Sequence, residues 1–180
     1  MNLFILSLIP KKIAEYMMDK HISKILLEAV QMLCSAKRIL DSEDPINEKI
    51  YKLAHKNHPV TIWCRASKAN FLWTLELIDE IHKEWKYRYN HPEDKIHKSY
   101  LMAQILKEHV PSDDKFENEG LTAFAQAMPD KYKSEDAIKS YRKYYMSDEK
   151  QKIASWKNKR EKPKWYKIKQ PKIRLIILDN

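Results

Sequence analysis

The sequence predicts an all-α fold: a single compact helical domain over residues 1–180, with a basic C-terminal tail and at most a short terminal strand. Three observations predict it. Glycine occurs once, at Gly120, too poor a supply for tight hairpins or a doubly wound nucleotide-binding fold. Hydrophobic residues are 43% of the chain, enough to bury one core at this length. Charged residues are 33% and recur at helical spacing.

Residues 3–9 read as a short strand or an extended buried entry. Residues 11–40 read as one long helix, because Ile13, Met17, Ile22, Ile25, Leu26, Val30, Leu33 and Leu40 approximate a buried stripe. DSEDP at 41–45 ends it, and Pro45 suits the first turn of a short helix over 46–55. HKNHP at 55–59 is a loop, since Pro59 disfavours helix at His58. A second long helix follows over 60–89, its apolar side formed by Ile62, Phe71, Leu72, Leu75, Ile78, Ile81 and Trp85. A third spans 95–109, and a short one 121–128 stops at Met128-Pro129. Ser134-Glu135 opens a helix over 135–146 in the manner of a cap followed by acids. A basic helix continues over 148–160. IRLIIL at 173–178, beyond Pro171, reads as a strand beside residues 3–9.

The net charge of +9 is unevenly placed. Residues 131–174 hold 16 Lys/Arg and 5 Asp/Glu, an excess of 11, which leaves −2 on the rest. The same stretch holds Tyr132, Tyr141, Tyr144, Tyr145, Trp156, Trp165 and Tyr166. Cations neutralise phosphates and aromatic faces stack on bases, so the pattern points to nucleic acid. In the alternative reading these aromatics are core and the lysines a solvated face. Cys34 and Cys64, the two cysteines, lie in apolar helical stretches and point to buried thiols in a reducing compartment. MNLFILSLI at 1–9 lacks a basic start and a cleavage site and is too short to span a bilayer, so no membrane partner is expected.

Three constellations could carry chemistry. On the first helix, Asp19 lies close to His21, Lys24 and Glu28, and the last three are spaced to share one face. A glutamate near an amine can serve as acid and base in sugar chemistry. The competing reading is an exposed ladder of charges. The second constellation is HKNHPVTIWCR at 55–65. Here Lys56 and Arg65 suit phosphate, Asn57 and His58 a base edge, and Trp63 stacking, with Arg65 in the first turns of a helix whose amides attract anions. A capped, hydrogen-bonded loop is the alternative. His55 and His58 have no second ligand pair close by, so no metal is expected. The third is KPKWYK at 162–167, with Lys164, Trp165, Tyr166 and Lys167 as nucleic-acid contacts or, alternatively, a disordered basic tail with an anchoring tryptophan.

Together these segments resemble the pyrimidine-dimer DNA glycosylase family typified by endonuclease V of T-even phages. HISKILLE keeps the family's histidine and, seven residues on, its glutamate, as His21 and Glu28. KNHPVTIWCR at 56–65 is similar to an RNHP segment of bacterial members, and PKWYK at 163–167 to the phage enzyme's terminal Trp-Tyr-Lys. The chain is also similar to phage and giant-virus proteins that share the DKH and HKNHP segments. The resemblance implies a DNA glycosylase, with or without lyase activity, on damaged or modified pyrimidines of double-stranded DNA. It implies base flipping, no cofactor, a monomer, and the cytoplasm of a bacterium or infected host. It assigns the nucleophile to the α-amine at the chain start, and Glu28 to sugar-ring opening and β-elimination. Asn2 is bulky enough to retain Met1, so the amine is that of Met1, or of Asn2 after Met1 removal, with Lys24 as a rival. An α-amine titrates at about 7.7–8.0 and a lysine at about 10.4, which favours the former. A non-catalytic viral DNA-binding protein and a pyrimidine-modifying enzyme are the alternatives.

Overall fold

A computed structural model describes residues 1–168. They form the helices α1 (Pro10–Tyr16), α2 (Asp19–Leu40), α3 (Pro59–Ala66), α4 (Lys68–Tyr89), α5 (Lys98–Glu108), α6 (Ala137–Tyr145) and α7 (Asp148–Gln151). The fold is all-α, as the composition predicts. The strand expected at 173–178 lies outside the described residues.

Residues 3–6 resolve the first alternative in favour of an extended buried entry: Leu3, Phe4, Ile5 and Leu6 are all buried, without strand pairing. The long helix expected over 11–40 is two. Met17 and Met18 adopt extended backbone and turn their side chains into the core. Side chains satisfy the polar groups freed by the break. Arg88 donates to the carbonyls of Glu15 and Met17, each at 3.0 Å, and the Met18 amide donates to the Tyr145 hydroxyl at 2.8 Å. α2 then runs through the centre of the molecule and packs against α3, α4 and α5, while α1 packs on α4. Its buried stripe includes Ile22, Ile25, Leu26, Val30 and Leu33, each fully buried aliphatic side chain contributing about 1.5–3 kcal/mol.

The helix expected over 60–89 is also divided, at Ser67, whose hydroxyl caps α4 by accepting from the Asn70 amide at 3.1 Å. The resulting bend leaves Ile62 and Leu72 exposed, although they were expected on the apolar side. The short helix over 46–55 shrinks to a 3-10 turn, Pro45–Lys49, capped by Asp44.

Residues 121–128 are not helical. Their backbone is bonded by side chains from elsewhere, which replace intrahelical bonds. The Tyr141 hydroxyl donates to the Ala125 carbonyl at 2.8 Å and accepts from the Ala127 amide at 3.1 Å, and Asn2 donates to the Ala127 carbonyl at 2.7 Å. The basic helix expected over 148–160 stops at Gln151. The following chain is drawn onto α1, α2 and α4: Trp156 donates to the Tyr16 carbonyl, the Lys157 amide to Asp19, and Asn158 exchanges bonds with Tyr87. Asn158 and Lys159 both take left-handed backbone to make that turn.

A buried charge cluster fixes this corner. Arg88 bonds Asp19 at 2.8 Å and Glu84, and Glu84 also receives Arg160 in a fork at 2.9 and 2.8 Å. Cys34 and Cys64 are buried free thiols, both pushed up to about 12 by burial. No helix of the described residues is long and apolar enough to cross a membrane. Replacing Arg88 with alanine leaves buried Asp19 without a cation and Glu84 with Arg160 alone, and is expected to destabilise the fold by about 3–5 kcal/mol. Urea unfolding measures this, and a loss under about 1 kcal/mol would mean the cluster is not a stabilising tie.

Candidate active site

The chain start reaches the middle of α2 because Asn2 folds its side chain back on the backbone. Its carbonyl oxygen accepts from the amides of Leu3 and Phe4 at 2.9 and 3.1 Å, while its amide holds Ala127. Phe4 takes left-handed backbone, φ 50°, unusual for an aromatic residue. Its ring stacks on His21 at 4.7 Å and on Tyr144 at 6.1 Å between centroids. Asn2 then points its backbone nitrogen at Glu28 at 2.9 Å, and the Met1 amine lies 3.9 Å from the same carboxylate oxygen. The Lys24 ammonium is 3.9 Å from the other oxygen.

These groups line a cavity of about 140 Å³ with His21, Tyr144 and Lys150. Burial pushes His21 down to about 3, with Lys150 and Lys24 adding repulsion, so the ring is neutral at physiological pH. The Tyr145 hydroxyl accepts from the Met18 amide and shares a hydrogen bond with His21 Nδ1, 2.8 Å away. Lys150 stands over the rings of Phe4 and Tyr144, 5.5 and 5.2 Å from their centroids. One carboxylate thus faces several cations, a setting suited to an anionic backbone beside an acid/base group.

Of the sequence-selected residues, the structure brings Met1, Asn2, His21, Lys24 and Glu28 together. Asp19 is elsewhere, buried against Arg88. His58 caps α3, accepting from the Val60 amide at 3.2 Å, and burial, with repulsion from the chain-start amine, holds its ring below the ordinary histidine range. Lys56 and Asn57 are exposed on the loop.

Arg65 lies in the last turn of α3, not the first, and donates to the Lys56 carbonyl at 2.6 Å, which ties the loop to the helix. Trp63 is 5% exposed and packs against Trp73 and Phe124, so it is a core residue and not a stacking platform. Lys164 and Lys167 are exposed, but Tyr166 is 2% exposed and Trp165 is half-buried against Tyr16. These rings anchor the segment, because they fill a gap that α6 and α1 leave open. Sequence reasoning missed Phe4 and Lys150, and had Tyr144 only as one of the aromatics of the basic stretch, not as a wall of this cavity. The helical periodicity it used cannot place an extended entry or a segment 120 residues away; Lys150 was visible only as one of many lysines in the basic stretch. Among the described residues no group of His, Cys, Asp and Glu could hold a metal ion.

A family model described as pyrimidine dimer DNA glycosylase matches residues 1–97. No curated protein matches the chain, and no solved structure does.

His21 makes stability depend on pH. The unfolded chain takes up a proton near 6.5, the folded one only near 3, so stability present at neutral pH is lost as pH falls between those values. His21→Gln removes this contribution. The gap between the urea midpoints of the native and variant chains is expected to be narrower at pH 5 than at pH 7; an unchanged gap would show that His21 is not held neutral by the fold.

Proposed function

The chain belongs to the pyrimidine dimer DNA glycosylase family, and from that premise we propose that it excises a damaged or modified pyrimidine from double-stranded DNA through a Schiff base. The supporting observation is the meeting of the chain-start amine and Glu28 on one cavity, 3.9 Å apart. The Asn2 nitrogen is closer, at 2.9 Å, so removal of Met1 would leave an amine at the same carboxylate. Lys24 is the weaker candidate: its side chain is 68% exposed and its ammonium stands in solvent at the rim.

The neutral amine attacks the anomeric carbon of the flipped nucleotide, and the bond to the pyrimidine breaks as the base leaves with its electron pair. The new ammonium link gives a proton to Glu28, and Glu28 passes it to the ring oxygen. The sugar opens and a protonated imine forms. In the lyase step Glu28 takes the 2′ proton and the 3′ phosphate leaves. His21, neutral, lines the cavity, and Lys150 faces the flanking phosphate. Lys56, Asn57, Lys164 and Lys167 contact the duplex, which a monomer binds.

Glu28→Gln is expected to abolish base release with little change in DNA affinity; a variant as active as the native chain would remove Glu28 from the mechanism. Acetylation of the terminal amine is expected to eliminate the borohydride-trapped complex, and Lys24→Ala only to reduce it. Mass spectrometry of the trapped peptide locates the adduct, and an adduct on Lys24 would reverse the assignment. Base release without an adduct would make water the nucleophile. DNA binding without base release would leave a non-catalytic DNA-binding protein. Exchanging Lys164 and Lys167 for glutamine is expected to reduce the slope of log affinity against log salt by about 2, one unit for each lost phosphate contact. An unchanged slope would take these lysines out of the interface.

A further inference from the structure

We propose that Tyr132 is a stacking site for one nucleobase, that of the nucleotide next to the reacting one on the same strand. The inference rests on the excision reading above, and Tyr132 takes no part in that chemistry.

Four rings run outward from the candidate site. His21 stacks on Phe4 at 4.7 Å, Phe4 on Tyr144 at 6.1 Å, and Tyr144 meets Tyr132 at 5.1 Å between centroids. The first two are buried and the last two half-buried. Tyr144 is a wall of the cavity, so Tyr132 stands one ring beyond it. Among the described residues no further ring meets Tyr132. Only the Lys131 ammonium stands over it, 5.1 Å from the centroid.

Other aromatics of the basic stretch are occupied inside the fold. Tyr141 and Tyr145 bond backbone groups through their hydroxyls, and Trp156 does so through its indole nitrogen. Tyr166 is buried, and Trp165 already carries Arg142 on its ring, 5.0 Å from the centroid. The Tyr132 hydroxyl, by contrast, has no hydrogen-bond partner among the described residues and is not buried. The ring is nonetheless held in place. It ends the 3-10 turn Asp130–Tyr132, where Lys143 donates to the Lys131 carbonyl at 3.0 Å and Gln126 to the Ser134 carbonyl at 2.6 Å. A ring ordered before binding stacks at little entropic cost.

The charges suit a nucleotide. Lys133 is paired with Asp130 at 2.8 Å, but Lys131 makes no ion pair among the described residues. Its ammonium can leave the ring for a phosphate while a base takes its place. With Lys150 on the phosphate that flanks the reacting sugar, the next base along the strand is the one that reaches Tyr132.

Two variants of the full chain test this. Tyr132→Leu keeps an apolar contact with Tyr144, and Tyr132→Phe keeps the ring. Affinity is measured for duplexes holding a tetrahydrofuran abasic analogue, which forms no Schiff base, with and without the base on its 5′ or its 3′ side. Any change in duplex flexibility is common to all three proteins and cancels in the comparison. Deleting one of the two neighbouring bases is expected to weaken binding by the native chain and by Tyr132→Phe at least about fivefold more than by Tyr132→Leu, and up to about 150-fold more for a full stack. A smaller difference at both neighbours, or Tyr132→Phe behaving like Tyr132→Leu, would overturn the proposal. So would a difference found only when the base opposite the analogue is deleted. A lower slope of log affinity against log salt in Tyr132→Leu, without the base-dependent difference, would make the tyrosine a prop for Lys131 and also overturn it. The difference without base release by the native chain fails the excision reading alone; base release without the difference fails this proposal alone.

Discussion

The buried guanidinium of Arg88 is the tie on which the arrangement depends. It takes two carbonyls from the end of α1, the carboxylate that starts α2, and Glu84 one turn back on its own helix. A charge removed from water this completely is tolerated only when its donors are matched with acceptors. Breaking α1 from α2 supplies them: a continuous helix would have kept the Glu15 and Met17 carbonyls for itself. The same tie recruits the C-terminal chain, because Glu84 and Asp19 have acceptor capacity left for Arg160 and the Lys157 amide.

That corner places the candidate site. Fixing the first turn of α2 fixes His21, and the Tyr145 hydroxyl, shared between Met18 and His21, carries the constraint from the helix break to the cavity. One turn of α2 then separates His21 from Lys24, and another Lys24 from Glu28. The entry segment completes the site under local strain. Phe4 accepts left-handed backbone because Asn2 bonds the two amides that lead into the bend and because its ring lies between His21 and Tyr144. Strained backbone held by its surroundings often accompanies a working site.

What was legible in the sequence followed the range of the signal. Helical class, the apolar stripe of α2, the breaks before Pro45 and Pro59, the buried thiols and the shared face of His21, Lys24 and Glu28 all depend on residues a few positions apart, where spacing is informative. The helix breaks at Met17 and Ser67 carry no proline or glycine; they arise from bonds to Arg88, Tyr145 and Asn118, far along the chain. The same holds for residues 121–128, which have helical composition but lose their backbone groups to Tyr141, Asn2 and Trp63. Aromatic residues were the least legible. Trp63 and Tyr166 stand beside cations in the sequence and inside the core in the fold, because a side chain's neighbours along the chain do not state which way it faces.

The family match ends at residue 97, yet the cavity does not. Lys150 and Tyr144 line it, Ala127 anchors Asn2, and Tyr145 orients His21. The two parts of the chain are therefore not modules. A chimera joining residues 1–97 to the second half of a distant relative would inherit Glu28 and lose the walls around it. Divergence within such proteins is accordingly constrained in pairs: a change at Asn2, Phe4 or His21 is acceptable only with a matching change beyond residue 120, so relatives that keep the first half recognisable can still differ in what their cavities admit.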